Sequence, residues 1–181
     1  MTVDGAGAPL DARSGDLGRL GARELPSLAQ IDLRIARSDA DPLPPFLPLE
    51  PNTWVGWIGR DVLWLGPDEW LLLDGTEAKE SGVLAAELTT LLSGTHHSVV
   101  DVSANRTVLE LRGDDRHELV STGCGLDLHP RSWRDGMCAQ TLLARVPVLL
   151  QERSGATRIF VRPSCREWLL AWLLDAAGMP A

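Results

Sequence analysis

Positive charge is scarce in this 181-residue chain: 17 basic residues face 25 acidic ones, for a formal charge of -8 and a pI near 4.9. Such a surface repels phosphate backbones and anionic bilayers, which argues against nucleic acid and membrane surfaces as partners. Lysine is nearly absent, with only Lys79, a bias we attribute to genome composition. Long apolar runs are missing too. The longest within the predicted last helix, residues 168–174, falls far short of the ~20 residues that cross a bilayer. The three cysteines, Cys124, Cys138 and Cys165, match neither a C-x-x-C redox pair nor paired zinc knuckles. Neither G-x-G-x-x-G nor G-x-x-x-x-G-K-[ST] occurs, so no local motif cradles a nucleotide phosphate. No basic, apolar, small-residue leader opens the sequence, and a reduced, cytoplasmic setting is expected. At this length folding hides roughly two thirds of the chain's surface, enough for a core without disulfide or metal.

What is present reads as an α+β domain. Residues 1–24, rich in Gly, Ala, Asp and Arg without an apolar period, are expected to form a flexible tail, and residues 25–181 one domain. Residues 28–37 alternate as a strand with Ile31, Leu33 and Ile35 on one side. A connector with five prolines in eleven residues follows, which cannot enter a ladder. "VLWLG" and "EWLLLD" predict a hairpin whose turn is Pro67-Asp68, so Asp68 has a local job and Glu69 opens the second strand. Leu84, Leu88, Leu91 and Leu92 predict a helix ending at Gly94. Two strands, a short helix from Asp114 to Gly123, three more strands and a closing helix complete the order, with no internal repeat visible. Helices set this far apart among hairpins predict a mostly antiparallel sheet with flanking helices.

In the closing stretch "SCREWLLAWLLDAAG", Ser164 and Glu167 predict a capping box. Trp168 and Trp172 lie on one side of this helix and Leu170 and Leu174 on another, more apolar surface than one sheet covers. Seven tryptophans beside two phenylalanines and no tyrosine strengthen the point, because tryptophan is enriched at partner contacts. For Trp64 and Trp70 the chain's own core is the favoured reading. For Trp54, Trp57 and one side of the last helix, core and partner contact stay open. The candidate partner interface is therefore Trp54, Trp57, Trp168, Leu170, Trp172 and Leu174.

Chemical candidates are few. Cys124 follows a helix C-terminus, whose partial negative charge disfavours a thiolate, and His129 is five residues away. His96 and His97 are neighbours on a strand, so their rings diverge and do not bind metal together with Asp101. No catalytic, cofactor-binding or metal-ligating residue is assigned.

The stretches "VLWLGPDEWLLL", "VVDVSANRTVLELRGDDRHELVSTGCGLDLHP", "GMCAQTLLARVPVLL" and "RIFVRPSCREWLLAWL" resemble the gamma subunits of heterotetrameric sarcosine oxidases. The "D-x-S…R" and "G-D" pieces are shared more widely with the T-protein (aminomethyltransferase) folate-binding superfamily. The resemblance implies a T-protein-like fold within an enzyme that oxidatively demethylates sarcosine to glycine, hydrogen peroxide and 5,10-methylenetetrahydrofolate. It also implies that FAD, FMN, NAD and tetrahydrofolate reside on alpha, beta and delta partners and that this chain binds none of them. Where T-proteins place acidic residues, this chain reads "ARVPVLL", apolar around Val146 to Val148. Asp101, Ser103 and Arg106 match the shared motif and are read as a loop tying two strands together. A stand-alone folate or pterin binder and an aminomethyltransferase-like enzyme are the alternatives.

Overall fold

The structure is a computed structural model that describes residues 18, 20–35, 44–75 and 81–178. Among the described residues, ten strands and three helices follow one another as β1 (Ala22–Glu24), β2 (Ala29–Ile35), β3 (Trp54–Trp57), β4 (Arg60–Gly66), β5 (Glu69–Asp74), α1 (Ser81–Leu91), β6 (His97–Asp101), β7 (Thr107–Arg112), α2 (Arg116–Ser121), β8 (Cys138–Leu143), β9 (Val146–Arg153), β10 (Ala156–Val161) and α3 (Pro163–Ala176). The α+β class expected from the sequence is correct.

There are two five-stranded sheets rather than one, in the orders β1-β7-β10-β9-β8 and β3-β4-β5-β2-β6, and their ladders are antiparallel. The orders share a plan: a three-strand meander, then the strand that precedes it in the chain, then an outer strand. A helix follows each meander, α1 after β5 and α3 after β10. The repeat lives in topology alone, which is why the sequence shows none.

The period-two alternation of side chains explains the layering. Leu63, Leu65, Leu71 and Leu73 meet Val108, Cys138, Leu149 and Phe160 between the sheets. On the outer face of one sheet, Ile31, Leu33, Ile35, Val62, Trp70 and Leu72 pack under Leu84, Leu88 and Leu92. On the outer face of the other, Leu109, Leu111, Val148, Leu150, Ile159 and Val161 pack under Leu169, Leu170 and Leu173. The molecule is thus helix, sheet, sheet, helix, with three apolar layers.

Several boundaries differ from the sequence reading. Ala22–Glu24, assigned to the tail, pairs with β7, and Glu24 receives Arg166 of α3. Residues 1–17 and 36–43, the latter including the start of the proline-rich connector, lie outside the described residues. Trp54–Trp57, read as an approach segment, is an edge strand. Leu91 is exposed while Leu84, Leu88 and Leu92 are buried. The capping box is absent: Arg162 is the N-cap without a side-chain bond, and Pro163 at the first turn sets the start instead. Gly94 does sit in the left-handed conformation after α1, at φ 93°.

Candidate functional site

Within the shared motif, Asp101 and Ser103 are bonded to their own fold. Asp101 Oδ1 accepts from the backbone N–H and the hydroxyl of Ser103 (2.9 and 2.6 Å), and Oδ2 from the hydroxyl of Ser81 (2.6 Å). These bonds hold the Asp101 carboxyl below the usual carboxylate range, Ser103 contributing most. Ser103 Oγ in turn accepts from Gln30 N at 2.9 Å, and the Arg106 carbonyl accepts from Gln30 Nε2 at 2.9 Å. The loop therefore ties two strands, β2 and the end of β6, as the sequence suggests, and also fastens the start of α1, which the sequence does not suggest. Burial, followed by Arg162, lowers the pKa of Arg106 against the pull of Asp32 and Glu69.

Glu69 is tied down as well. It pairs with Arg34 at 2.8 Å across the β2–β5 ladder. Its pKa is raised by burial first and by the nearby Asp32 second. Pro67 and Asp68 connect β4 to β5, and the Asp68 carbonyl accepts from Ile35 N at 3.1 Å.

The thiols are packed rather than poised. Cys124 Sγ lies 3.7 Å from Thr141 Oγ1, while His129 Nδ1 accepts from Arg131 N at 3.2 Å. Cys138 is buried between the sheets, donates to the Thr53 carbonyl at 3.2 Å, and is pushed up to about 12 by burial. A thiol held that high carries no thiolate at neutral pH. Val146 and Val148 pack into the layer beneath α3. Among the described residues no three metal-binding side chains converge.

Two ionic networks escaped the sequence reading. Beneath α2, the carboxylate of buried Glu152 accepts from Arg116 Nη2 (2.6 Å), Thr157 Oγ1 (2.6 Å) and Trp133 Nε1 (3.1 Å). Nε2 of His117 lies 3.0 Å away but out of line for a hydrogen bond. Between the sheets, Asp61 is approached by Arg153 (2.9 Å), Arg158 (3.1 Å) and Gln151 Nε2 (3.0 Å), and Glu110 by Arg23 (2.8 Å), Arg112 (2.9 Å) and Arg158 (3.3 Å). Strand periodicity places such residues on a face but cannot reveal which distant strand lies opposite. No local signal could have found either network.

The six interface candidates separate into distinct groups. Leu170 and Leu174 are 1% and 2% exposed and belong to the chain's own core, which corrects their assignment to a partner surface. The inward stripe is Leu169, Leu170, Leu173 and Leu174, because two adjacent pairs one turn apart define a broad helical face. Trp168 is 51% exposed. Trp172 is half-buried, its indole seated on Gly123, where a Cβ would come within 2.5 Å of the ring. Trp54 is half-buried and clasps the two sheets by donating from Nε1 to the Glu152 carbonyl at 2.8 Å. Trp57 stacks on Phe46 at 4.1 Å.

A further apolar residue was missed. Ile58, at the tip of the β3–β4 hairpin, is 80% exposed and held at φ 48°. A left-handed conformation costs an L-residue about 1–2 kcal/mol, and a β-branched one is poorly suited to it. Ile58→Asn is accordingly expected to raise the melting temperature of the isolated chain by about 2–4 °C in a thermal scan.

Two helix-covered antiparallel sheets packed face to face, with the D-x-S loop fastening one of them, define a T-protein-like α+β domain. The aminomethyltransferase T of the glycine cleavage system from Bartonella henselae shares the fold at TM-score 0.63 and 12% identity, over 88% of this chain and 46% of that one. Residues 49–179 match the sarcosine oxidase, gamma subunit family, and the chain belongs to it. Sarcosine oxidase subunit gamma from Corynebacterium sp. strain P-1 and that from Arthrobacter sp. are each 42% identical over 120 residues, 65% of this chain and 57% of theirs. The match thus spans little more than half the length of these curated relatives. A chain of the heterotetrameric sarcosine oxidase from Corynebacterium sp. U-96, solved with pyrrole 2-carboxylate, superposes at TM-score 0.79 and 29% identity, covering 94% of this chain and 93% of that one.

Proposed function

We propose that this chain is a non-catalytic subunit of a heterotetrameric sarcosine oxidase, assembling in the cytoplasm with alpha, beta and delta subunits. The complex demethylates sarcosine to glycine and hydrogen peroxide and delivers the carbon as 5,10-methylenetetrahydrofolate, with FAD, FMN, NAD and tetrahydrofolate carried by the partners. The near end-to-end match to a chain of a heterotetrameric sarcosine oxidase is the observation that carries this reading. The internal bonding of Asp101 and Ser103 supports the non-catalytic part, since three of the roughly four acceptor sites of the Asp101 carboxylate are taken by the fold itself.

Trp168, with the edge of Trp172, is the anchor this reading offers to a larger subunit, and the strained Ile58 tip is a second contact. Co-expression with the alpha, beta and delta chains tests both levels. The expected result is a four-chain complex with sarcosine-dependent peroxide release and none from this chain alone. Peroxide release from the isolated chain, or its failure to co-elute with the others, overturns the subunit reading. Ile58→Asn is expected to weaken assembly although it stabilises the free chain, a pair of opposite signs that misfolding cannot produce.

A further inference from the structure

We propose that the open end of the gap between the sheets binds a small organic carboxylate. The site does not depend on the subunit assignment. A cavity of about 450 Å³ opens there, within the range of small-ligand pockets, ~300–1,000 Å³. Its lining combines the apolar Leu25, Leu28 and Leu73 with Arg23, Arg153 and Arg158, and includes the carboxylates of Asp61 and Asp74 that these and Arg60 hold.

The charges around it do not balance. Arg23, Arg112, Arg153 and Arg158 share only Asp61 and Glu110, while Asp74 at the rim is held by Arg60 at 3.1 Å. Arg60 is itself shared with Glu87 at 2.7 Å, so among the described residues of this cluster one positive charge is in surplus, in a chain whose formal charge is -8. Donors are in surplus as well. Arg158 Nη2, both Nη atoms of Arg153 and Arg23 Nη1 make no hydrogen bond among the described residues. Arg153 is steadied by the Trp54 ring, 5.6 Å from its guanidinium carbon.

Guanidinium forks match the two oxygens of a carboxylate, and here they already grip two internal ones. A ligand with a carboxylate facing the arginines and a short hydrocarbon body against the leucines answers both parts of the lining. A tetrahedral anion satisfies only one part.

Isothermal titration of the full-length chain with glutarate at low ionic strength tests the site, with sodium chloride at matched ionic strength and inorganic phosphate as comparisons. Saturable glutarate binding is expected, stronger than that of phosphate and absent with chloride. Arg23 is 62% exposed, so Arg23→Gln leaves the core intact and is expected to weaken glutarate at least threefold, about 0.65 kcal/mol or more. Asp61→Asn removes the internal competitor and is expected to tighten binding, a gain that unfolding cannot mimic. No saturable heat at about 10 mM glutarate, equal binding of phosphate, or unchanged affinity in R23Q overturns the proposal. So does a folded D61N chain that binds no more tightly.

Discussion

Glu152→Ala is expected to be the most damaging single substitution in the protein, costing about 3–5 kcal/mol and lowering the melting temperature by roughly 6–20 °C. The carboxylate is 2% exposed and holds together α2 through Arg116, the loop before β8 through Trp133, and β10 through Thr157. Its removal leaves the largely buried guanidinium of Arg116 without its anion and strands the Trp133 N–H in an apolar layer. Glu152→Gln keeps the shape and loses only charge, so chemical denaturation should rank it between the wild type and alanine. A melting temperature unchanged in E152A would mean that the network contributes nothing net.

The same group sets an acid limit. Burial alone would raise the pKa of Glu152, but the bonds from Thr157 and Arg116 and the proximity of His117 outweigh it, and the folded-state value lies below the ordinary one of 4.5. Glu110 behaves alike, burial being overcome by Arg23, Arg112 and Arg158. A carboxyl depressed on folding contributes stability that is fully present above its unfolded pKa and is lost as pH falls through the folded one. Urea midpoints should therefore be flat from neutrality down to about pH 5 and decline below it. The decline should be shallower in E152Q, which has no proton to gain at that site.

Leu170→Ala is expected to cost about 2–5 kcal/mol, whereas Trp168→Ala, two residues earlier on the same helix, should fall within about 0.5 kcal/mol of the wild type. Leu170 lies in the sealed layer between α3 and its sheet, so truncation leaves a cavity; Trp168 faces outward. Assembly should reverse the order. Truncating an exposed tryptophan that anchors a partner weakens binding by 2 kcal/mol or more, about 30-fold. Thermal unfolding of the free chain and co-elution with the larger subunits read the two effects separately. Equal losses in stability for L170A and W168A would contradict the orientation of α3.

The two leucine pairs of this helix mark where reading by sequence stopped. Helical spacing identified an apolar element with more than one oily side, and that is what α3 is. Which side faces inward depended on the sheet beneath it, and the wider stripe of Leu169, Leu170, Leu173 and Leu174 took that place. Trp54 was open between core and interface because its indole finds its acceptor on Glu152, 98 residues away. Ile58 gave no warning, since a hairpin turn normally announces itself with Asn or Asp, and an isoleucine there reads as strand.

By itself the sequence determined the α+β class, the order of most strands and helices, the local duties of Asp68 and of the Asp101–Ser103 loop, and membership of the family, because periodicity, turn chemistry and motifs act over a few residues. The tertiary structure alone decided that the strands divide into two sheets with a repeated topology. It also decided that Glu152, Asp61 and Glu110 gather arginines from strands far apart, and that Trp168 rather than Leu170 meets the outside. Each of these depends on which surfaces meet across the gap between layers. That is set by the competition of all apolar faces for burial at once, and no window along the chain contains it.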